Sequence, residues 1–167
     1  MDLTIRPARP GDAEAIAAIL LPAFRAGDTY AVDPGIDAAA ALDYWFAPGK
    51  TVFVAETELT VGSGRVVGTG YVRANQAGGG NHVANAGFVT DPAARGRGVA
   101  SALLDHALTT AAAMGFRAMQ FNFVVSTNEG AIRLWTRAGF AIVGRLPGAF
   151  RHPAAGYVDA LVMYRTL

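Results

Sequence analysis

The sequence predicts an α/β (α+β) fold in which a mixed sheet carries helices, and three observations lead there. β-Branched and aromatic residues alternate in runs bounded by glycine-rich turns; apolar residues recur at helical spacing in four other segments; and the two kinds of segment interleave without the strict alternation of a doubly wound sheet. The 167 residues, 52% apolar and 16% charged, suit one compact domain over 1–167.

Leu3 to Arg6 reads as a short strand. Gly11 and Asp12 then offer a cap to a helix carrying Ile16, Leu20, Ala23 and Phe24 on one face, and Asp28, Asp33, Pro34 and Gly35 mark a loop over 27–36. Asp37 caps a second short helix towards Trp45 and Phe46, which Pro48 and Gly49 end. Thr51 to Ala55 and Arg65 to Arg73 form a hairpin about the turn Gly62, Ser63, Gly64. Gly78, Gly79 and Gly80 precede a strand from His82 to Thr90, which Asp91 and Pro92 stop. A helix follows with Val99, Leu103, Ala107, Ala111 and Met114 on one face and Gly115 at its end. Arg117 to Val125 reads as a buried strand, and Ser126 with Glu129 as a capping box for a helix carrying Ala131, Leu134, Trp135 and Ala138. Strands about Phe140 to Leu146 and Tyr157 to Tyr164 enclose a loop from Pro147 to Gly156.

Charge and composition exclude several classes. The 14 basic and 13 acidic residues are scattered, leaving a net charge of +1 and a single lysine, Lys50, so the basic stripe of a nucleic-acid binder is missing. No run reaches the ~18 apolar residues that span a bilayer. The N-terminus sets Arg6 and Arg9 about a short apolar alternation instead of a secretory core, so no membrane partner and a cytoplasmic setting are expected. Without cysteine there is no thiol nucleophile and no cysteine-ligated metal, and no metal is expected.

The chemistry concentrates on Asp91-Pro-Ala-Ala-Arg-Gly-Arg-Gly-Val-Ala100, between a strand and a helix. The first amides of a helix have no intrahelical acceptor and point, with the positive end of its dipole, at whatever fills the loop; Arg95 and Arg97 add charge, and Gly96 and Gly98 let the main chain approach a diphosphate. A dinucleotide fingerprint counted from Gly96 puts Ser101 where its last glycine belongs, and a Walker loop ending at Gly49, Lys50, Thr51 would have Tyr44 as its first glycine. Both fail.

Arg95-x-x-Gly98-x-Ala100 after Asp91-Pro92 resembles the coenzyme A signature of the GNAT superfamily. Asn128, Ala131, Leu134, Gly139 and Phe140 resemble that family's following motif. The resemblance implies a mostly antiparallel sheet of about six to seven strands with helices on both faces, and acetyl-coenzyme A as co-substrate. It further implies that the pantetheine arm lies along Phe88, Val89 and Thr90, with an amide near Val89 stabilising the oxyanion, while Arg95, Gly96, Arg97, Gly98, Val99, Ala100 and Ser101 hold the phosphates and Asn128, Ala131 and Trp135 support the cofactor. Trp135 stands where the family commonly has a proton-donating tyrosine, and no carboxylate lies between Asn81 and Thr90 to act as base.

Asn85 and Asn122 stand near the middle of the two strands that would flank the thioester. A buried amide left unpaired costs roughly 1–3 kcal/mol, so each either holds the acceptor or is satisfied by the other or by a bulge carbonyl. The strings Asn85-Ala-Gly-Phe88, Phe121-Asn-Phe-Val124, Thr127-Asn128 and Leu134-Trp135 resemble the branch that includes fungal proline-analogue N-acetyltransferases, which implies substrate contacts for Asn85 and Asn122. Further candidates are His82 for catalysis, with Tyr30, Asp28, Arg151, His152 and Tyr157 on the acceptor side; His106 reads as solvent facing. The expected reaction is direct acetyl transfer to a small-molecule amine, an amino acid or proline-like compound among them. A protein N-terminus or lysine as acceptor, or a coenzyme A-binding regulatory module, are the alternatives. Exposed edge strands make a homodimer a candidate assembly.

Overall fold

The structure, a computed structural model, describes residues 3–60 and 63–167, so Gly62 of the expected hairpin turn lies outside the described residues. The strands are β1 (Leu3–Pro7), β2 (Thr51–Thr60), β3 (Ser63–Ala74), β4 (Val83–Thr90), β5 (Ala118–Val125), β6 (Ala141–His152) and β7 (Gly156–Thr166). The helices are α1 (Ala13–Ala26), α2 (Ala38–Trp45), α3 (Val99–Ala113) and α4 (Glu129–Arg137). One seven-stranded sheet runs in the order β1-β2-β3-β4-β5-β7-β6, antiparallel at every step except β4 to β5.

Alternation along the strands produces two cores. Val52, Val54, Tyr71 and Val89 pack with Ile16, Leu20, Phe24 and Trp45 of α1 and α2 on one face. Phe53, Ala55, Val72, Ala84 and Ala86 pack with Leu103, Leu104 and Trp135 of α3 and α4 on the other. Helices therefore cover both faces, as the resemblance implied. α3 sits close because Gly68 of β3 has no side chain: a Cβ there would lie 2.8 Å from Val99 Cγ1. Trp45 is fully buried, and its indole donates to Thr69 Oγ1 at 3.0 Å.

Asp12 is the N-cap residue of α1, as expected, but its side chain makes no bond to the helix start. Its carboxylate takes the Arg6 guanidinium at 2.8 and 2.9 Å and the Arg9 amide at 2.6 Å, while Arg6 also reaches Glu56 at 2.6 Å. The bonds to Arg6 hold the Asp12 carboxyl below the usual carboxylate range and join β1, β2 and the start of α1. Asp37 does cap α2, accepting from Ala40 N–H at 2.8 Å. At α4 the expected Ser126–Glu129 box is replaced: Asn128 is the N-cap, accepting from Ala131 N–H, and Glu129 instead pairs with Arg133.

The segment expected to loop from Pro147 to Gly156 is mostly strand, because β6 continues to His152 across a register shift between Leu146 and Phe150. Asp159 of β7 makes that continuation feasible: its carboxylate accepts from Gly148 N–H at 2.9 Å and from Arg145 at 2.6 Å, replacing ladder bonds at the bulge. Among the described residues no helix is long and apolar enough to cross a membrane.

Candidate active site

The loop from β4 to α3 is built by local bonds. Asp91 accepts from Ala93 N–H at 2.9 Å, and Arg95 and Arg97 donate their amides to Pro92 and Ala94 carbonyls, each at 3.3 Å. Asp91 is tied in turn to Arg65 of β3. Gly96 and Gly98 have φ of 77° and 79°, and a Cβ at either would meet nothing within 4 Å. The left-handed backbone by itself calls for glycine at both positions. Among the described residues the amides of Gly96, Gly98, Val99, Ala100 and Ser101 meet no main-chain acceptor, and Arg95, Arg97 and Ser101 are exposed beside them. Such an amide array at a helix start, flanked by guanidinium groups, fits a diphosphate.

β4 and β5 pair only at Val83–Ala118 and Ala84–Met119. The last tie is a side chain: Asn85 Nδ2 donates to the Gln120 carbonyl at 3.0 Å, after which the strands part. Val83 C=O and Asp91 N–H both bond towards β3, so by alternation the main chain of residues 83, 85, 87, 89 and 91 faces β3, and that of Ala86, Phe88 and Thr90 faces the gap. Among the amides near Val89, the one presented to the gap and bonded there is Phe88's. The Tyr30 hydroxyl accepts from it at 3.1 Å and donates to the Phe88 carbonyl at 2.9 Å.

A cavity of about 310 Å³ occupies the gap. Its α4 side is aromatic: Trp135 packs 4.9 Å from Phe121 and 5.5 Å from Phe88, between ring centroids. Asn128 and Ala131 line it beside them. Tyr30, Tyr44 and Tyr71 close the α1–α2 side. Tyr71 reaches over β4 because residue 87 is glycine; a Cβ there would lie 2.7 Å from the Tyr71 ring. Sequence reasoning missed Tyr71, Tyr44 and Gln120, although an isolated glycine inside a strand, as at 87, signals close approach by another group. Burial raises the pKa of both Tyr30 and Tyr71, with Tyr44 adding to the effect, so both are phenols and not phenolates at neutral pH.

Asn85 and Asn122 both line the cavity and do not bond each other. Asn122 donates to Asn75 Oδ1 at 2.6 Å and accepts from Gln120 Nε2 at 2.8 Å. A row of amides thus crosses the parting strands.

Other candidates lie elsewhere. His82 is exposed in the turn before β4, at the end where β4 and β5 are still paired. Arg151 and Tyr157 oppose each other near the tip of the β6–β7 hairpin, with Tyr157 76% exposed, and neither lines the cavity. They follow β6 outward because the strand continues where a loop was expected. His152 Nδ1 accepts the Ala154 and Ala155 amides that make the turn. His106 is half-buried and not fully solvent facing: its ring lies 4.7 Å from that of Phe53, and burial lowers its pKa. Asp28 precedes Thr29 and Tyr30, which reach the cavity where it does not. Among the described residues no three His, Asp or Glu side chains gather as a metal site.

The model of the acetyltransferase (GNAT) family matches residues 13–140. N-acetyltransferase aca1 of Schizosaccharomyces pombe (strain 972 / ATCC 24843) is 30% identical over 148 residues, covering 81% of this chain and 71% of that protein. Among solved structures, a GCN5-related N-acetyltransferase from Kribbella flavida is 40% identical with a TM-score of 0.92, covering 99% of this chain and 98% of that one. The fold is also that of a phosphinothricin acetyltransferase from Sinorhizobium meliloti, solved in complex with AcCoA: TM-score 0.85, 23% identity, 100% of this chain and 89% of that one.

Proposed function

The chain belongs to the acetyltransferase (GNAT) family, and from that premise we propose that this acetyl-coenzyme A-dependent enzyme acetylates the amine of a small molecule by direct attack, with both substrates bound at once. The observation that carries the reading is the cavity of about 310 Å³ where β4 and β5 part, its wall at Phe88 leading within a few residues into the amide array of the α3 loop. That volume is at the small end of ligand pockets, roughly 300–1,000 Å³. The ring of Tyr30, Tyr44 and Tyr71 narrows it from the acceptor side.

Acetyl-coenzyme A supplies an activated acyl group and, as a thiol, its leaving group. The amides of Gly96, Gly98, Val99, Ala100 and Ser101, with Arg95 and Arg97, hold its phosphates. Phe88 and Thr90 turn main-chain groups to the gap, as strand-like binding of an extended arm requires, with Val89 anchoring β4 in the opposite core. Phe88 N–H is the donor for an oxygen that gains charge, and the Tyr30 hydroxyl is the group exchanged there. Trp135, Phe121 and Phe88 keep water from the acyl side. Asn85 and Asn122 orient the amine.

No carboxylate or histidine lines the cavity, so the amine's proton leaves to water along the Asn85–Gln120–Asn122 row. His82, exposed in the turn before β4, stands outside that route. The outer strand β6, with Ile142, Val143 and Leu146 exposed, is the surface that supports a homodimer; sedimentation equilibrium tests it.

Thiol release from acetyl-coenzyme A across small amines, peptide N-termini and lysine peptides tests the function. Steady turnover with a small amine is expected. Turnover confined to peptides, or binding of acetyl-coenzyme A without turnover on any acceptor, rejects the reading.

A further inference from the structure

Lys50, the chain's single lysine, stands one step before the Thr51–Val72 pair of β2 and β3 and so falls opposite Arg73, which is itself paired with Asn85 of β4. Opposed residues of antiparallel strands share a face. Lys50, Arg73 and Asn85 therefore form a row across three strands on the α1–α2 side, each step about 5 Å. The Lys50 ammonium lies 4.1 Å from the ring centroids of both Tyr44 and Tyr71 and donates to the Tyr44 carbonyl at 2.6 Å. Those two rings line the cavity.

Among the described residues neither cation has a carboxylate partner: the ion pairs are made by other arginines, and Arg73 Nε bonds only the Ala74 carbonyl. Two like charges side by side without a counter-ion oppose each other. The effect is visible on Lys50, whose pKa is lowered by burial and then by Arg73 to about 8. No Asp or Glu lines the cavity either. Lys50 and Arg73 are not themselves in the cavity lining; Lys50 touches it through the Tyr44 and Tyr71 rings, on the same face as Asn85 of the amide row Asn75, Asn85, Gln120 and Asn122.

We propose that Lys50 and Arg73 are an anion subsite for the acceptor, binding a carboxylate of a small amino acid whose amine reaches Asn85. This rests on the acetyl-transfer reading and narrows its substrate class. The subsite selects amines that carry a carboxylate close to the nitrogen, because its two cations and Asn85 stand on one face at neighbouring positions. Charge-assisted bonds to a desolvated carboxylate are worth about 1.5–3 kcal/mol, or ~10- to 150-fold in affinity.

The test compares amino acids with their own carboxamides as acceptors, in wild type, Arg73→Gln, Lys50→Gln and Arg73→Glu. The acid-over-carboxamide ratio of kcat/KM is read in each; comparison between variants cancels the different basicity of the two amines. Each neutral substitution is expected to lower the ratio by at least ~10-fold, through KM and not kcat, and Arg73→Glu to lower it further. Thermal unfolding and acetyl-coenzyme A calorimetry on each variant show that fold and cofactor site persist. Turnover of both acceptor types with a ratio that no variant changes overturns the anion subsite and leaves acetyl transfer standing. Absence of turnover with every amine, with acetyl-coenzyme A still bound, overturns both.

Discussion

Across the β4–β5 gap, the side proposed for the cofactor and the side proposed for the acceptor are built from different materials. The α3 loop offers main-chain amides, held mostly by bonds that span a few residues, with Asp91 tied back to β3, and by two left-handed glycines. The opposite side offers side chains drawn from the α1–α2 loop, α2, β2, β3, β4 and β5: Tyr30 reaches Phe88 across 58 positions and Asn122 reaches Asn75 across 47. Main-chain groups are common to every residue type, whereas side chains can be exchanged one at a time. The first side should therefore fail as a unit and the second by increments.

The most damaging change belongs to the cofactor side. Replacing both Gly96 and Gly98 by valine imposes on each a backbone that costs about 1–3 kcal/mol, which the loop relieves by abandoning the amide array. Calorimetry is expected to show acetyl-coenzyme A binding weakened at least ~30-fold, with the thermal transition still cooperative. Binding kept near wild type would remove the contrast between the two sides.

On the acceptor side, Asn85→Ala removes the tie to the Gln120 carbonyl together with the amine contact proposed for it. A fall in kcat/KM of ~10-fold or more for the best amine is expected, since the freed carbonyl is left unpaired; if Asn85→Ala and Asn122→Ala both leave kcat/KM intact, the acceptor assignment is wrong. Tyr30→Phe should act in the other direction on the cofactor. Without the hydroxyl, Phe88 N–H and C=O have no partner to exchange, and titration is expected to show acetyl-coenzyme A bound ~3- to 10-fold more tightly. Weaker binding would mean that the hydroxyl bonds the cofactor itself.

A pH series sharpens the same contrast. Lys50 loses its proton as pH rises through about 8, with Tyr44, Tyr71 and Arg73 as the groups that face it. The acid-over-carboxamide preference is expected to be full below that pH and to decline above it, while Lys50→Arg keeps it. The smallest effect is reserved for His82→Ala. At the closed end of the two strands it is expected to change kcat/KM by less than ~2-fold, the range of surface substitutions; a larger loss would bring the proton route back to the imidazole.

Local rules carried the reading of the cofactor side. The glycines at 96 and 98 and the unpaired amides at the start of α3 each depend on a handful of consecutive residues, which is why spacing along the chain was enough to find them, whereas the cap of α4, expected at Ser126, falls on Asn128. Asn85 and Asn122 were legible for a related reason, because an amide in the middle of a strand demands a partner. Nothing local marked Gln120, Tyr44 or Tyr71 as neighbours of that pair; Gly87 was the one sign that a ring would lie over β4. Arg151 and Tyr157 were drawn to the site by a loop that Asp159 keeps as strand.

By itself, then, the order of residues determined the family, the seven-stranded mixed sheet and the amide cradle, because each follows from hydrophobic period, turn chemistry and helix-end chemistry within short windows. Only the tertiary structure decided which acceptor-side groups meet. Strand register brings Lys50, Arg73 and Asn85 into one row, and a shift of a single residue in any of the three strands would turn its member to the other face.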